Sequence, residues 1–173
     1  MDSKMKVENL DLYYGKFKAL KNINLDIPEK EITAFIGPSG CGKSTLGRLL
    51  VNLENPTEGE IFFHGISIQE ILQKNEAEFR KTVQMVFQNR FDTFLQTETI
   101  EKIMLRPLVL YRKDMTDEEK KQRVTELLEE GGLSPAEDFL PRYPHELSGG
   151  QLQRISILRS MLLNPEFLVV DEP

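Results

Sequence analysis

The chain is poor in cysteine and histidine, has no long apolar run, and carries no surplus of positive charge. Cys41 is the single cysteine among 173 residues, so no internal disulfide can form, which suits a reducing cytosol. No apolar stretch approaches the ~20 residues of a membrane-spanning helix. Met1-Asp2-Ser3-Lys4-Met5-Lys6 lacks the apolar segment of a signal peptide. A net charge of −6 argues against a general nucleic-acid surface. His64 and His145 both fall in stretches that read as solvent-side loops rather than as ligand sites. There are no repeats and no low-complexity segment. What remains is an ordinary globular composition, 39% hydrophobic and 29% charged, long enough for one domain with a real core.

Against this plain background one stretch stands out. Gly37-Pro38-Ser39-Gly40-Cys41-Gly42-Lys43-Ser44-Thr45 fits G-x-x-x-x-G-K-[ST] without a mismatch. The β-rich run Ile32-Thr33-Ala34-Phe35-Ile36 precedes it, and Leu46 to Val51 follows with apolar residues at helical spacing. Strand, glycine loop, helix is the context a phosphate-binding loop requires. Glycines let backbone N–H groups turn inward around an anion, and the helix adds its positive end. Lys43 is placed to reach the β- and γ-phosphates, and the Ser44 hydroxyl to hold Mg²⁺.

Before the loop, Val7–Tyr14 alternates partially and Ile23, Leu25 and Ile27 alternate cleanly, which predicts an antiparallel pair of strands separated by Gly15-Lys16. After it come a short strand at Gly59–Phe63, a helical connection from Ile68 to Lys81, and a core strand from Val83 ending at Gln88. From Thr99 to Glu146 the chain turns helical and charged. Thr116-x-x-Glu119 is a capping box, Val124, Leu127 and Leu128 give the helix an apolar face, and Gly131-Gly132 stops it. Its charged residues, Asp117 to Arg123, read as a solvated face. A further helix runs from Gly149 to about Leu163 and ends at Asn164-Pro165.

Two features add chemistry. Phe167-Leu168-Val169-Val170 reads as a buried strand carrying Asp171 and Glu172 at its C-terminal end. There Asp171 would hold Mg²⁺ through its water shell, and Glu172 would polarise an attacking water. Leu147-Ser148-Gly149-Gly150-Gln151 opens the last helix with a capping box, Ser148 to Gln151. Two glycines in a first turn are costly unless a ligand must approach the backbone. The chain therefore carries two helix ends suited to anions.

Together, Gly37 to Thr45, Leu147 to Gln151 and Phe167 to Glu172 resemble the Walker A, signature and Walker B motifs of ABC-type ATPases, in the family's order and over essentially the whole chain. The resemblance implies an α/β P-loop core with an antiparallel β edge and a helical subdomain inserted near residues 90–148, all within one incomplete ATP-binding domain, residues 1–173. It implies ATP and Mg²⁺. Gly37, Ser39, Gly40, Cys41, Gly42, Lys43, Ser44 and Thr45 would cradle the phosphates. Ser148, Gly149, Gly150 and Gln151 would meet the nucleotide held by a second, head-to-tail copy. Gln88 matches the glutamine that senses Mg²⁺ and water and touches the membrane subunits, which gives it metal and catalytic roles beside Lys43 and Glu172. Tyr14 matches the aromatic that stacks on adenine; Tyr13 points to the opposite sheet face, so only one of the two can serve.

The front of the chain resembles phosphate-importer ATPases, while Val83-Gln84-Met85-Val86-Phe87-Gln88-Asn89 and Tyr143-Pro144-His145-Glu146-Leu147-Ser148 resemble those of peptide and nickel importers. Arg90 stands where the second group usually has proline. The expected role is the ATP-hydrolysing subunit of an importer, for peptides or nickel, bound to a permease at the cytoplasmic membrane face and to no nucleic acid. A phosphate importer, a non-hydrolysing nucleotide module and a soluble ABC ATPase stay open as alternatives. The family continues past Pro173 with a D-loop, a switch histidine and a central strand. Residues 1–173 alone are thus expected to leave Ile32–Ile36 and Phe167–Asp171 facing a gap, and not to form a competent hydrolase.

Overall fold

The computed structural model describes residues 3–87 and 94–171, so the expectations for Gln88 and Glu172 lie outside the described residues. The chain divides into two compact units, Met1–Arg80 and Lys81–Pro173.

In the first unit, β1 (Ser3–Tyr14) and β2 (Phe17–Pro28) form the expected antiparallel hairpin about Gly15-Lys16, with Tyr14 opposite Phe17. β3 (Glu58–Phe63) pairs with the other edge of β1, and β4 (Ile66–Ser67) completes the order β2-β1-β3-β4. The alternation in β1 is only partial because it contains a bulge. Val7 and Leu10 are an odd number of residues apart, yet both are buried. The pairing register shifts between them, and Asn9 takes the left-handed conformation, φ 49°. Gly59 of β3 makes room for this. A Cβ there would lie 2.4 Å from the Asn9 carbonyl oxygen.

Helices α1 (Lys43–Leu50) and α2 (Ile68–Thr82) bury Leu49, Leu50 and Phe79. Phe79 meets Phe63 of β3 edge to face, centroids 6.3 Å apart. Burying such a ring contributes roughly 1.5–3 kcal/mol. α2 is broken at Asn75, whose side chain accepts from the Glu78 N–H and restarts the helix.

One expected strand does not form. Residues 31–38 have no regular structure, and Ile32 and Ile36 are 100% and 95% exposed. High β propensity needs a ladder neighbour to become a strand, and Ile32–Ile36 is not a member of the four-stranded sheet of its unit.

In the second unit β5 (Val83–Val86) and β6 (Phe167–Val170) pair in parallel. β6 was expected to be buried; its residues are half-buried, and Val170 is exposed. An all-apolar run signals a strand covered on both faces, and here the described neighbours cover it only in part. Among the described residues the unit's α-helices are α3 (Ile100–Tyr111), α4 (Asp117–Glu130) and α5 (Gly149–Met161). Met104 and Leu108 of α3, Val124 and Leu128 of α4, and Leu152 and Ile155 of α5 share one core. The predicted capping box of α4 is present, Thr116 with Glu119, and Gly131 caps its end. The solvated-face reading of α4 needs one correction. Lys120 is buried, its stem covered and its ammonium 3.4 Å from Asp117, while Lys121 is exposed.

α3 and α5 are also joined by a polar contact. Pro107 lies inside α3 and has no N–H to give the carbonyl four residues back, that of Ile103. Arg159 of α5 fills the deficit, donating from Nε to the Ile103 oxygen at 3.1 Å. Burial, and then the neighbouring Arg106, hold the Arg159 guanidinium below its ordinary pKa. In urea titrations Arg159→Met should cost about 1–3 kcal/mol. In a Pro107→Ala background the same change should cost distinctly less, because alanine restores the missing N–H. Strictly additive costs would show that the arginine does not serve the orphaned carbonyl.

Candidate functional site

The loop before α1 is shaped by its own backbone. Gly42 caps the helix in the left-handed conformation, φ 98°, and a Cβ there would lie 2.6 Å from Leu20 Cδ2. Its carbonyl receives the Leu46 N–H at 2.8 Å, which starts the helix. Gly42 has no side chain with which to cap α1, and the helix's first turn has no acidic residue. α4 is the contrast, with Asp117, Glu118 and Glu119 in its first turn. The N-terminal partial charge of α1 therefore faces the loop without an acidic side chain from its own first turn beside it.

Lys43 points back into that loop. Its ammonium donates to the carbonyls of Gly37 at 2.9 Å and Pro38 at 2.8 Å, and lies 3.6 Å from Cys41 Sγ. These are neutral acceptors. A phosphate oxygen would give a charge-assisted bond about twice as strong, so an incoming anion can draw the ammonium across. Gly37, Ser39, Gly40 and Cys41 are exposed, and Ser44 and Thr45 form the first turn of α1. The residues expected to cradle phosphate therefore share one open loop.

Tyr13 and Tyr14 are resolved by their partners. Lys18 Nζ sits 5.1 Å from the centroid of the Tyr13 ring. The Tyr14 ring is half exposed, and its hydroxyl donates to Glu54 Oε2 at 2.5 Å and meets the Thr45 side chain of α1. The Glu54 bond, and burial after it, hold the Tyr14 hydroxyl above its ordinary pKa. Tyr14 and not Tyr13 is thus the tyrosine whose hydroxyl meets α1, the helix that follows the glycine loop. Glu54 was not singled out in the sequence, since it belongs to no motif.

In the second unit Ser148 is the N-cap of α5. Its Oγ accepts from the Gln151 N–H at 3.3 Å, and the Gln151 side chain accepts from the Ser148 N–H at 2.9 Å. The amide oxygen of Gln151 is therefore engaged in the cap. Ser148 and Gly150 are exposed, Gly149 is half-buried, and a Cβ on Gly150 would meet nothing within 4 Å. No contact among the described residues calls for glycine at 150. Asp171 follows β6, and its N–H donates to the Val86 carbonyl at 3.0 Å, so the carboxylate sits at the C-terminal end of a parallel pair.

Among the described residues no three His, Cys, Asp or Glu side chains gather to hold a metal. Mg²⁺ does not demand such a cage. It keeps several waters and takes one or two protein oxygens beside the phosphates, and the hard oxygens of Ser44 and Asp171 are donors of that kind.

The family model described as ABC transporter matches residues 20–173. A putative oligopeptide transport ATP-binding protein of Bacillus subtilis is 43% identical over 90% of this chain and 47% of its own length. A dipeptide transport ATP-binding protein of Haemophilus influenzae is 40% identical over 90% of this chain and 47% of its own length. The chain thus spans about half the length of these curated relatives. Among solved structures, a dimeric ATP-binding cassette in a post-hydrolysis state bound to ADP and Pi matches with a TM-score of 0.84 and 33% identity, over 98% of this chain and 74% of the other. The mixed α/β cassette fold expected from the motifs is the fold these neighbours have.

The exposed Cys41 thiol reports on the loop. MgATP should slow its alkylation several-fold, and the alkylated chain should lose nucleotide binding. Labelling at one rate with and without MgATP would place the nucleotide elsewhere.

Proposed function

The chain belongs to the ABC transporter family, and from that premise we propose that it is the ATP-binding and ATP-hydrolysing part of a peptide importer. The observation that carries this is the Lys43 ammonium, held by loop carbonyls at the glycine-capped start of α1. The names of the relatives, oligopeptide and dipeptide transport ATP-binding proteins, favour peptides over the nickel and phosphate alternatives.

In this reading the two compact units are parts of one ATP-binding domain, with residues 90–148 as its helical insertion. Lys43 and the backbone N–H groups of Gly40, Cys41, Gly42, Ser44 and Thr45 bind the β- and γ-phosphates. Gly37 and Ser39 shape the loop, and Tyr14 stacks on the base. Ser44, Asp171 and Gln88 hold Mg²⁺, which when bound neutralises charge on the phosphate oxygens. Glu172 takes a proton from the attacking water. At α5, Ser148, Gly149, Gly150 and Gln151 offer a second anion-binding helix end that has no lysine of its own. Such an end is useful to a γ-phosphate already held by the Lys43 of another copy. That arrangement accounts for two helix starts without acidic residues in one chain.

No helix among the described residues is long and apolar enough to cross a membrane. The proposed place of work is the cytoplasmic membrane face, against permease subunits engaged near Gln88.

Head-to-tail pairing has a consequence that self-contained sites lack. Lys43→Ala and Ser148→Asp should each abolish MgATP-driven association in sedimentation. An equal mixture of the two variants should regain it, since each mixed pair keeps one intact site. A mixture as inactive as its components would contradict the shared site.

A further inference from the structure

Tyr14 is an exposed aromatic at the end of a strand, and its ring is half open to solvent. Left alone, such a side chain samples several rotamers and loses that freedom when a base stacks on it. In this structure it is not left alone. Its hydroxyl donates to Glu54 Oε2 at 2.5 Å, and the Thr45 side chain lies against the same hydroxyl. The other carboxylate oxygen, Glu54 Oε1, accepts from Arg48 Nη1 at 3.5 Å. Arg48 is on α1, one turn beyond Ser44. The Glu54 carboxylate is itself mostly covered, with 24% of the side chain exposed. The chain around it is fixed as well. The Thr57 N–H donates to the Asp11 carbonyl at 2.9 Å, and the Thr57 hydroxyl accepts from the Tyr13 N–H at 3.1 Å. One carboxylate on a tethered segment therefore binds both the tip of the aromatic and the helix that starts at Lys43.

We infer that Glu54 is a positioning residue for the nucleotide base, anchoring the Tyr14 ring at a set distance from the phosphate loop. This rests on the reading of Tyr14 as the stacking residue. The anchor is at the hydroxyl, at the rim of the ring, so it leaves the π face free. It also sets what a ligand must span: a triphosphate at the loop and an aromatic base at Tyr14. Ligands with only the triphosphate should not feel Glu54.

The test compares two affinities in the 173-residue chain by calorimetry, those for MgATP and for magnesium tripolyphosphate. Both ligands bind only the folded chain, so partial unfolding of a variant cancels in their ratio. Tyr14→Ala should lower the ATP-to-tripolyphosphate ratio about tenfold, the loss of one stacked base. Glu54→Ala should lower it about two- to fivefold, the share of one hydrogen bond. Glu54→Gln should keep the wild-type ratio, because its amide oxygen still accepts from the tyrosine hydroxyl. If Tyr14→Ala lowers the ratio and Glu54→Ala leaves it unchanged or raises it, the anchoring role is wrong while the stacking role stands. If Glu54→Gln falls as far as Glu54→Ala, the charge facing Arg48 is what matters and the anchoring role is again wrong. If Tyr14→Ala leaves the ratio unchanged, the stacking reading itself fails, and the inference with it.

Discussion

An ammonium group held by backbone carbonyls at the open end of a helix is the constraint on which the rest depends. Gly42, left-handed and with Leu20 Cδ2 close to where a Cβ would lie, caps the helix whose first residue, Lys43, turns back into the loop. Leu49 and Leu50 bury the far side of α1, which fixes where its first turn points. The loop carbonyls of Gly37 and Pro38 hold the lysine without neutralising it. A charged group with neutral partners, beside a helix start with no acidic residue in its first turn, is poised for an anion. In the proposed function the site works by exchange, loop carbonyls for phosphate oxygens, with no acidic side chain in the helix's first turn to compete.

The same logic, without the lysine, recurs at α5. There the capping box of Ser148 and Gln151 satisfies the local backbone and still leaves Gly150 with open space above it. α5 is seated by apolar contacts in the helical core and by Arg159, which repairs the hydrogen bond that Pro107 removes from α3. A helix end proposed to meet a ligand needs such a footing, because its own glycines weaken it.

Much of this was legible in the sequence. The glycine loop leading into α1, the capping boxes at Thr116 and Ser148, the β1–β2 hairpin and the helical stretch after Thr99 are encoded locally, by spacing and by capping residues. What was not legible depends on partners far along the chain. Ile32–Ile36 has the composition of a strand, but composition does not supply a neighbouring strand, and the segment lies exposed. The apolar run Phe167–Val170 misleads in the same way: it forms β6 and pairs with β5, but it is only half-buried. Lys120 looked solvated because its neighbours are charged, yet helical spacing puts its stem on the covered side. Glu54 carries no motif, and its role appears only when folding brings it to Tyr14.

The central claim is that Lys43 in this loop is the phosphate-binding cation. Titration of MgATP into the wild-type chain, Lys43→Ala and Lys121→Ala tests it most directly. Lys121 is an exposed lysine on α4 and controls for the loss of one positive charge. The account expects Lys121→Ala to bind like wild type and Lys43→Ala to bind at least tenfold more weakly, the loss of one charge-assisted contact of roughly 1.5–3 kcal/mol. Equal affinities in the two variants would contradict it.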